Sequence, residues 1–462
     1  MERLSNMAAR DVETVLHPFT NLQLQRSVGP LIIDHGEGIY LYDDKGKRYF
    51  DALAGLWCTS LGFGNEEVID AITEQLHKLP FASLFQGKSH DLAIELAEKL
   101  KELAPCPTSK VLFSSGGSDA NDMQVKITWY YNNARGLPKK KKIISRLRGY
   151  HGITVASGSL TGLPPVHADF DLPLANFLHT SCPDYYRSSR DGESEEEFCT
   201  RMAGDLEEMI QREGPETIAA FIAEPVMGAG GLVIPPENYF AKINEVLSEY
   251  DVRFISDEVI CGFGRTGNWF GAQSLGMKPT TITMAKAITA SYFPLGAITI
   301  EDDLYQAMVR QSEKIGVFAH GYTYTGHPVG CAAALKTIEI YKRDKIIEHV
   351  RKVAPIFAER IRRFEQHPLV GSTRSVGLLG GVELVADKKT RRLFDLKKSV
   401  GVNCVGNLHR LGVINRAVGG DILAFCPPLV ITAEEINAMF DVVEKALDET
   451  EAWVRKNDLR AA

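Results

Sequence analysis

The chain has 462 residues, 44% of them hydrophobic and 24% charged, proportions that exclude a disordered or fibrous protein. Lysine and arginine total 52 against 59 acidic residues, a formal charge of −7, so there is no basic surplus to draw the chain onto nucleic acid or anionic lipid. No apolar run approaches the roughly 18 residues of a membrane helix. Met1 to Val15 mixes Glu, Arg and Asp too freely for a secretory signal. The expectation is a soluble, cytoplasmic protein of two or three domains.

Between Pro30 and Phe50, short apolar runs such as Ile39-Tyr40-Leu41-Tyr42 are joined by Gly-containing polar turns. This spacing predicts a small antiparallel meander. From about Ser60 to Ile300 the runs Lys110–Phe113, Ile143–Ile144, Ile218–Ala223, Val252–Ile255, Thr280–Met284 and Leu295–Ile300 alternate with helical stretches. Continuous apolar strands spaced by helices predict an α/β fold with a mainly parallel sheet covered on both faces. The basic loop Lys139 to Lys142 and the acidic patch Glu193 to Glu197 read as solvated connections. Beyond Pro328 helical periodicity dominates around a strand-like Gly377–Leu384. Ile436, Met439, Phe440, Val443 and Leu447 then mark one face of a C-terminal helix. The organisation read from these patterns is an N-terminal part of a small domain (1–59), a large α/β domain (60–327) and a C-terminal small α+β domain (328–462). The eight cysteines contain no C-x-x-C pair and the twelve histidines no H-x-x-x-H pair. They read as buried small side chains, with no disulfide framework and no metal site.

Chemistry is suggested at four strand ends. Ser115-Gly116-Gly117-Ser118-Asp119-Ala120-Asn121 follows a strand and opens a helix. There, glycines and free N–H groups suit an anion, although an ordinary N-capped turn has the same appearance. Glu224 and Asp257 each end an apolar run, at the edge where open α/β sheets bind ligands. Lys286 follows another, and desolvation there lowers an amine's pKa and makes it a nucleophile. A phosphate cradle, an acid and a lysine in one sheet match what pyridoxal phosphate requires. Tyr150, in Gly149-Tyr150-His151-Gly152, supplies an aromatic for the ring or a core side chain.

With these motifs in place, the sequence resembles the class III pyridoxal-phosphate aminotransferases of fold type I along nearly its whole length. The resemblance is carried by Ser115–Asn121, Gly149–Gly152, Glu224-Pro225-Val226, Asp257–Gly267, Lys286 and Thr323–Pro328. It implies that Lys286 is the Schiff-base lysine and proton carrier and that Asp257 pairs with the pyridine nitrogen. Val259 and Tyr150 flank the ring, Gly117 and Ser118 hold the phosphate, and Glu224 stands behind the cofactor. Thr323 is expected to reach the phosphate of a neighbouring subunit, which implies a homodimer with shared active sites, with pairing into a tetramer left open.

Three further places resemble the ω-amine (ω-amino acid):pyruvate subgroup. Trp57 reads equally as a wall of the substrate pocket or a core aromatic. Arg416 resembles the mobile arginine that binds a keto-acid carboxylate, the alternative being a surface salt bridge. Ala229 stands where ornithine and 4-aminobutyrate aminotransferases carry a Glu, which implies a more apolar pocket. The implied function is transfer of an amino group from a primary amine or ω-amino acid to pyruvate by a ping-pong mechanism. The alternatives are a 2-oxoglutarate-dependent aminotransferase, a mutase or a decarboxylase on the same cofactor, and, from another class, a non-catalytic phosphate-ligand binding protein. Gly116–Asp119 and Ser291 depart from the family's commoner residues, at positions bearing on loop shape.

Overall fold

A computed structural model describes residues 5–461. In chain order the strands are β1 (Ile33–Glu37), β2 (Tyr40–Asp43), β3 (Arg48–Asp51), β4 (Lys110–Ser114), β5 (Lys142–Arg146), β6 (Phe177–Thr180), β7 (Ile218–Ala223), β8 (Arg253–Asp257), β9 (Thr281–Met284), β10 (Gly296–Ile300), β11 (Val370–Val376), β12 (Leu379–Leu384), β13 (Val413–Ile414), β14 (Arg416–Val418) and β15 (Ile422–Phe425). They form three sheets.

The seven-stranded sheet has the order β4-β10-β9-β8-β7-β5-β6. β10 runs antiparallel to both its neighbours, and the remaining pairs are parallel. Every residue of β7, β8, β9 and β10 is buried, because helices cover both faces and leave no polar side to alternate with. All strands but β10 therefore point the same way. Their carboxyl ends gather Ser114, Glu224, Asp257 and Lys286 along one edge. Close approach of β10 to β4 at this edge requires glycine: a Cβ on Gly296 would stand 2.3 Å from Ser114 Oγ and 2.6 Å from the Gly116 carbonyl oxygen.

The meander appears as expected, β1-β2-β3, and is extended by β13 lying parallel to β3, which brings both ends of the chain into one sheet. The third sheet, β11-β12-β15-β14, is antiparallel. The sequence reading found only β12 of it, and also missed β6. β13, β14 and β15 are short, β11 (Val-Gly-Ser-Thr-Arg-Ser-Val) is mostly polar, and β6 carries His179 and Thr180 on a sheet edge, so no sustained apolar run marks them. Two loop readings need correction. Lys140 is only 6% exposed and its Nζ donates to the Asp251 carbonyl (2.7 Å) and carboxylate (2.9 Å), while Lys142 begins β5. Glu195, Glu196 and Glu197 form the first turn of helix Glu195–Glu213, capped reciprocally by Ser194 and Glu197, where acidic side chains oppose the helix dipole. All eight cysteines are free; Cys58 and Cys182 are half-buried and the others buried. No described helix is long and apolar enough to cross a membrane.

The C-terminal helix spans Ala433–Lys456, opened by a Thr432–Glu435 capping box, and buries the face predicted for it. Phe440 is fully buried among Phe357, Phe364 and Phe425, with ring centroids 5.2–5.8 Å away. Phe440→Ala is expected to lower the stability measured by urea unfolding by about 3–5 kcal/mol. Glu444→Ala, on the exposed side of the same helix, is expected to change it by less than about 0.5 kcal/mol.

Candidate active site

The carboxyl edge of the large sheet opens into a cleft of about 740 Å³. Of the eleven residues singled out by sequence, ten line it: Gly117 and Ser118 at one end, Tyr150 and Val259 on facing walls, and Glu224, Asp257 and Lys286 at the sheet edge. Trp57, Ala229 and Arg416 complete the set. Thr323 does not line it and is exposed elsewhere on the chain.

Lys286 leaves β9 into a short helical turn, with its backbone in the left-handed region at φ 54°, a conformation that costs a non-glycine residue about 1–3 kcal/mol. Its side chain is partly exposed to the cleft and makes no hydrogen bond among the described residues. Desolvation pushes its amine below the usual lysine range, opposed by Cys58 and by the carboxylates of Asp257 and Glu224.

Asp257, 3% exposed, ends β8 and is gripped on several sides. Its Oδ2 accepts from Asn121 Nδ2 (2.8 Å) and pairs with His151 Nδ1 (2.8 Å), while Oδ1 accepts from the Val259 N–H (3.1 Å). Asn121 also donates to the His151 carbonyl at 2.7 Å. Asn121 and His151 thus form one brace. The sequence reading quoted both only as ends of motifs, because their meeting depends on how helix Gly117–Ala134 lies against the loop after β5.

Glu224 is buried, and desolvation raises its pKa. It accepts the Tyr150 N–H at 2.9 Å and the Gly228 N–H at 3.0 Å, so it anchors the loops that carry Tyr150 and Ala229. Arg148, absent from the sequence reading, also lines the cleft. Its guanidinium is already engaged, with Asp184 at 2.7 Å and the Gly230 carbonyl at 2.9 Å. Arg416, by contrast, forms no ion pair or hydrogen bond among the described residues; its guanidinium lies 5.7 Å from the centre of the Phe19 ring. The surface salt bridge considered for Arg416 is not formed. Trp57 is 3% exposed and also lines the cleft.

The cofactor implied by the sequence fits these residues. A Cβ on Gly117 would come within 3.0–3.1 Å of both Val259 methyl carbons, and one on Gly152 within 2.7 Å of Ser118 Oγ. Glycine at both positions lets Val259 and Ser118 approach the backbone beside the start of helix Gly117–Ala134, where N–H groups and the helix dipole favour phosphate. A lysine without a hydrogen-bond partner and a braced carboxylate at the same edge complete the requirements.

Comparison with known proteins bears this out. The family model "Aminotransferase class-III" matches residues 23–447. Gamma aminobutyrate transaminase 1, mitochondrial, of Solanum lycopersicum is 45% identical over 443 residues, covering 96% of this chain and 86% of that protein. Gamma-aminobutyrate transaminase 1, mitochondrial, of Oryza sativa subsp. japonica is 46% identical over 441 residues, covering 95% and 85%. Among solved structures, the ω-transaminase of Pseudomonas jessenii in complex with PMP superposes with a TM-score of 0.96 at 48% identity, covering 97% of this chain and 99% of that one. A six-fold mutant of a thermostable ω-transaminase from Pseudomonas jessenii gives the same score and identity. The chain belongs to the class III aminotransferases, enzymes that use pyridoxal phosphate.

Proposed function

We propose that this aminotransferase takes an amino group from a primary amine or ω-amino acid and delivers it to pyruvate. The observation that carries this reading is the charge inventory of the cleft. Four basic side chains line it; Lys286 is reserved for the chemistry, His151 is paired with Asp257 and Arg148 with Asp184. Among the described residues that leaves Arg416 as the one unpaired guanidinium, and Ala229 adds no carboxylate beside it. One guanidinium suits one carboxylate, held bidentately. It fits pyruvate or the distal carboxylate of an ω-amino acid, whereas 2-oxoglutarate carries a second carboxylate that finds no free cation. The names of the plant relatives support an ω-amino acid donor, and the ω-transaminase structures support an amine. The cytoplasmic location expected from the sequence draws no support from those relatives, which are named as mitochondrial.

Pyridoxal phosphate, when bound, supplies an aldehyde that captures amines and a ring that withdraws electrons from the amine-bearing carbon. The side chains of this chain divide the remaining work. Gly117 and Ser118 bind the phosphate through the helix start. Asp257, braced by His151 and Asn121, holds a proton at the ring nitrogen. Tyr150 and Val259 confine the ring between them, and Glu224 fixes the loop from which Tyr150 projects. Lys286, its amine pushed below the usual lysine range by desolvation, would supply the lone pair that captures the aldehyde and would move the proton at the amine-bearing carbon. Trp57 and Tyr150 keep water from the reacting carbon.

Thr323 belongs to a second copy's site in this reading. Its neighbourhood supports a homodimer: Phe81, Phe85 and Tyr324 are 42%, 47% and 59% exposed. Phe81 and Tyr324 meet edge-on at 6.1 Å, and exposed aromatic clusters of this kind mark protein interfaces.

Three outcomes are expected. In half-reactions started from the aminated enzyme, pyruvate should exceed 2-oxoglutarate in kcat/KM by at least about ten-fold; equal values would remove the acceptor assignment. Arg416→Ala should lower kcat/KM for carboxylate-bearing donors by about 10- to 100-fold, the loss of a charged hydrogen-bonded pair, and alter simple alkylamines much less. Finally, the unfolded state binds a proton on Lys286 more readily than the folded state does, since the folded pKa is lowered. This lysine therefore destabilises the cofactor-free protein, and does so less as pH rises toward the unfolded value. Lys286→Met should raise the melting temperature of cofactor-free protein at pH 7, with the gain shrinking toward pH 10; an unchanged or lower Tm at pH 7 would contradict the desolvated amine.

A further inference from the structure

We propose that Asp51 is a positioning residue for donor selectivity: its buried carboxylate holds, through two backbone N–H groups, the left-handed turn that sets Trp57 and Leu56 in the wall of the cleft. The turn follows β3 directly. Within four residues, Ala54 (φ 46°), Gly55 (φ 65°) and Trp57 (φ 66°) all adopt left-handed backbone. For Ala and Trp such angles carry a steric penalty, so the segment keeps its shape only where its surroundings impose it.

Asp51 supplies that constraint. It is 1% exposed and lines no part of the cleft. Oδ1 accepts the Leu53 N–H at 3.1 Å and Oδ2 the Gly55 N–H at 2.5 Å. No ion pair involves it among the described residues. Burial pushes its carboxyl up to about 6 against the lowering pull of its two amide donors and of the nearby Arg265, whose Nη1 is spent on the Leu378 and Pro427 carbonyls. A buried carboxylate is costly unless hydrogen bonds satisfy it; here the donors are the turn's own amides, so acid and turn stabilise each other. The outer flanks are tied separately, with the Ala52 N–H donating to the Ile414 carbonyl and the Cys426 N–H to the Ala52 carbonyl. Within the turn the Trp57 N–H donates to the Leu53 carbonyl and the Cys58 and Thr59 N–H groups to the Ala54 carbonyl, and Asp51 fixes the Leu53 and Gly55 amides that these bonds leave over. Trp57 then packs with Val226, Ile260 and Val418, of which Ile260 and Val418 also line the cleft.

The inference rests on the reading of the cleft as the donor site, and the experiment separates the two. Wild type, Asp51→Asn, Trp57→Ala and the double variant are prepared as holoenzymes. The single-turnover donor half-reaction is measured with 1-phenylethylamine and with propylamine, which needs no assumption about the acceptor. Asp51→Asn should change the ratio of their kcat/KM values by about five-fold or more, and by less than about two-fold when Trp57 is already alanine, since coupled residues do not add. A second readout is optical: the emission of Trp57, obtained by subtracting spectra of matched Trp57→Phe proteins, should shift in Asp51→Asn. An equal change in ratio with and without Trp57, or an unmoved Trp57 emission, overturns the proposal. If Trp57→Ala itself leaves the ratio unchanged, the donor-site reading fails and the emission alone decides whether Asp51 holds the turn. Should Asp51→Asn not fold, Asp51→Ser takes its place; if neither folds while Trp57→Ala does, Asp51 is a core residue and the proposal is overturned.

Discussion

A partly desolvated amine at the same sheet edge as a carboxylate that cannot turn is the constraint on which the site depends. Lys286 stands at the end of a strand whose residues are all buried, so its ammonium form is disfavoured before any ligand arrives. Asp257 ends the adjacent strand and has both oxygens committed to fixed donors. The parallel register of β8 and β9 brings these two groups to the same edge, and the seven-stranded sheet makes that register rigid. Preorganisation of this kind places the cost of positioning in the folding of the sheet rather than in the reaction.

Around this pair the proposed selectivity rests on subtraction of charge. Asp184 engages Arg148, while Arg416 forms no ion pair among the described residues and Ala229 contributes no charge to the cleft. What holds Arg416 is the face of Phe19, a contact worth about 0.5–1 kcal/mol at exposed sites and weak enough for a substrate carboxylate to replace. Class III membership is settled by similarity along most of the chain. The choice of partner substrates is a matter of these few charges and of the Trp57 turn.

Much of this was legible in the sequence because the informative residues lie where a change of pattern exposes them. β7 announces itself as an unbroken apolar run and β8 and β9 as short, mostly apolar ones; Asp257 closes β8, and Glu224 and Lys286 are the first ionisable residues beyond β7 and β9. The glycines at 117 and 152 stand out for the same reason, in turns beside strands. What stayed hidden depends on tertiary pairing. Arg148 and Asp184 are 36 residues apart on different loops, and nothing local to either shows that they neutralise each other. Asn121 and His151 look like helix and loop residues until the fold brings both to one oxygen of Asp257. Strands β14 and β15, three and four residues long around the Gly419-Gly420 turn, are too short for a period to register, although β14 carries Arg416. Asp51 reads as an ordinary strand end, since its burial and its acceptor role are set by the turn after it.

The most direct measurement is chemical. Holoenzyme reduced with borohydride, digested and mapped by mass spectrometry should carry the reduced cofactor on the peptide containing Lys286 and on no other lysine. A modified peptide elsewhere, with Lys286 unmodified, would contradict the account at its centre.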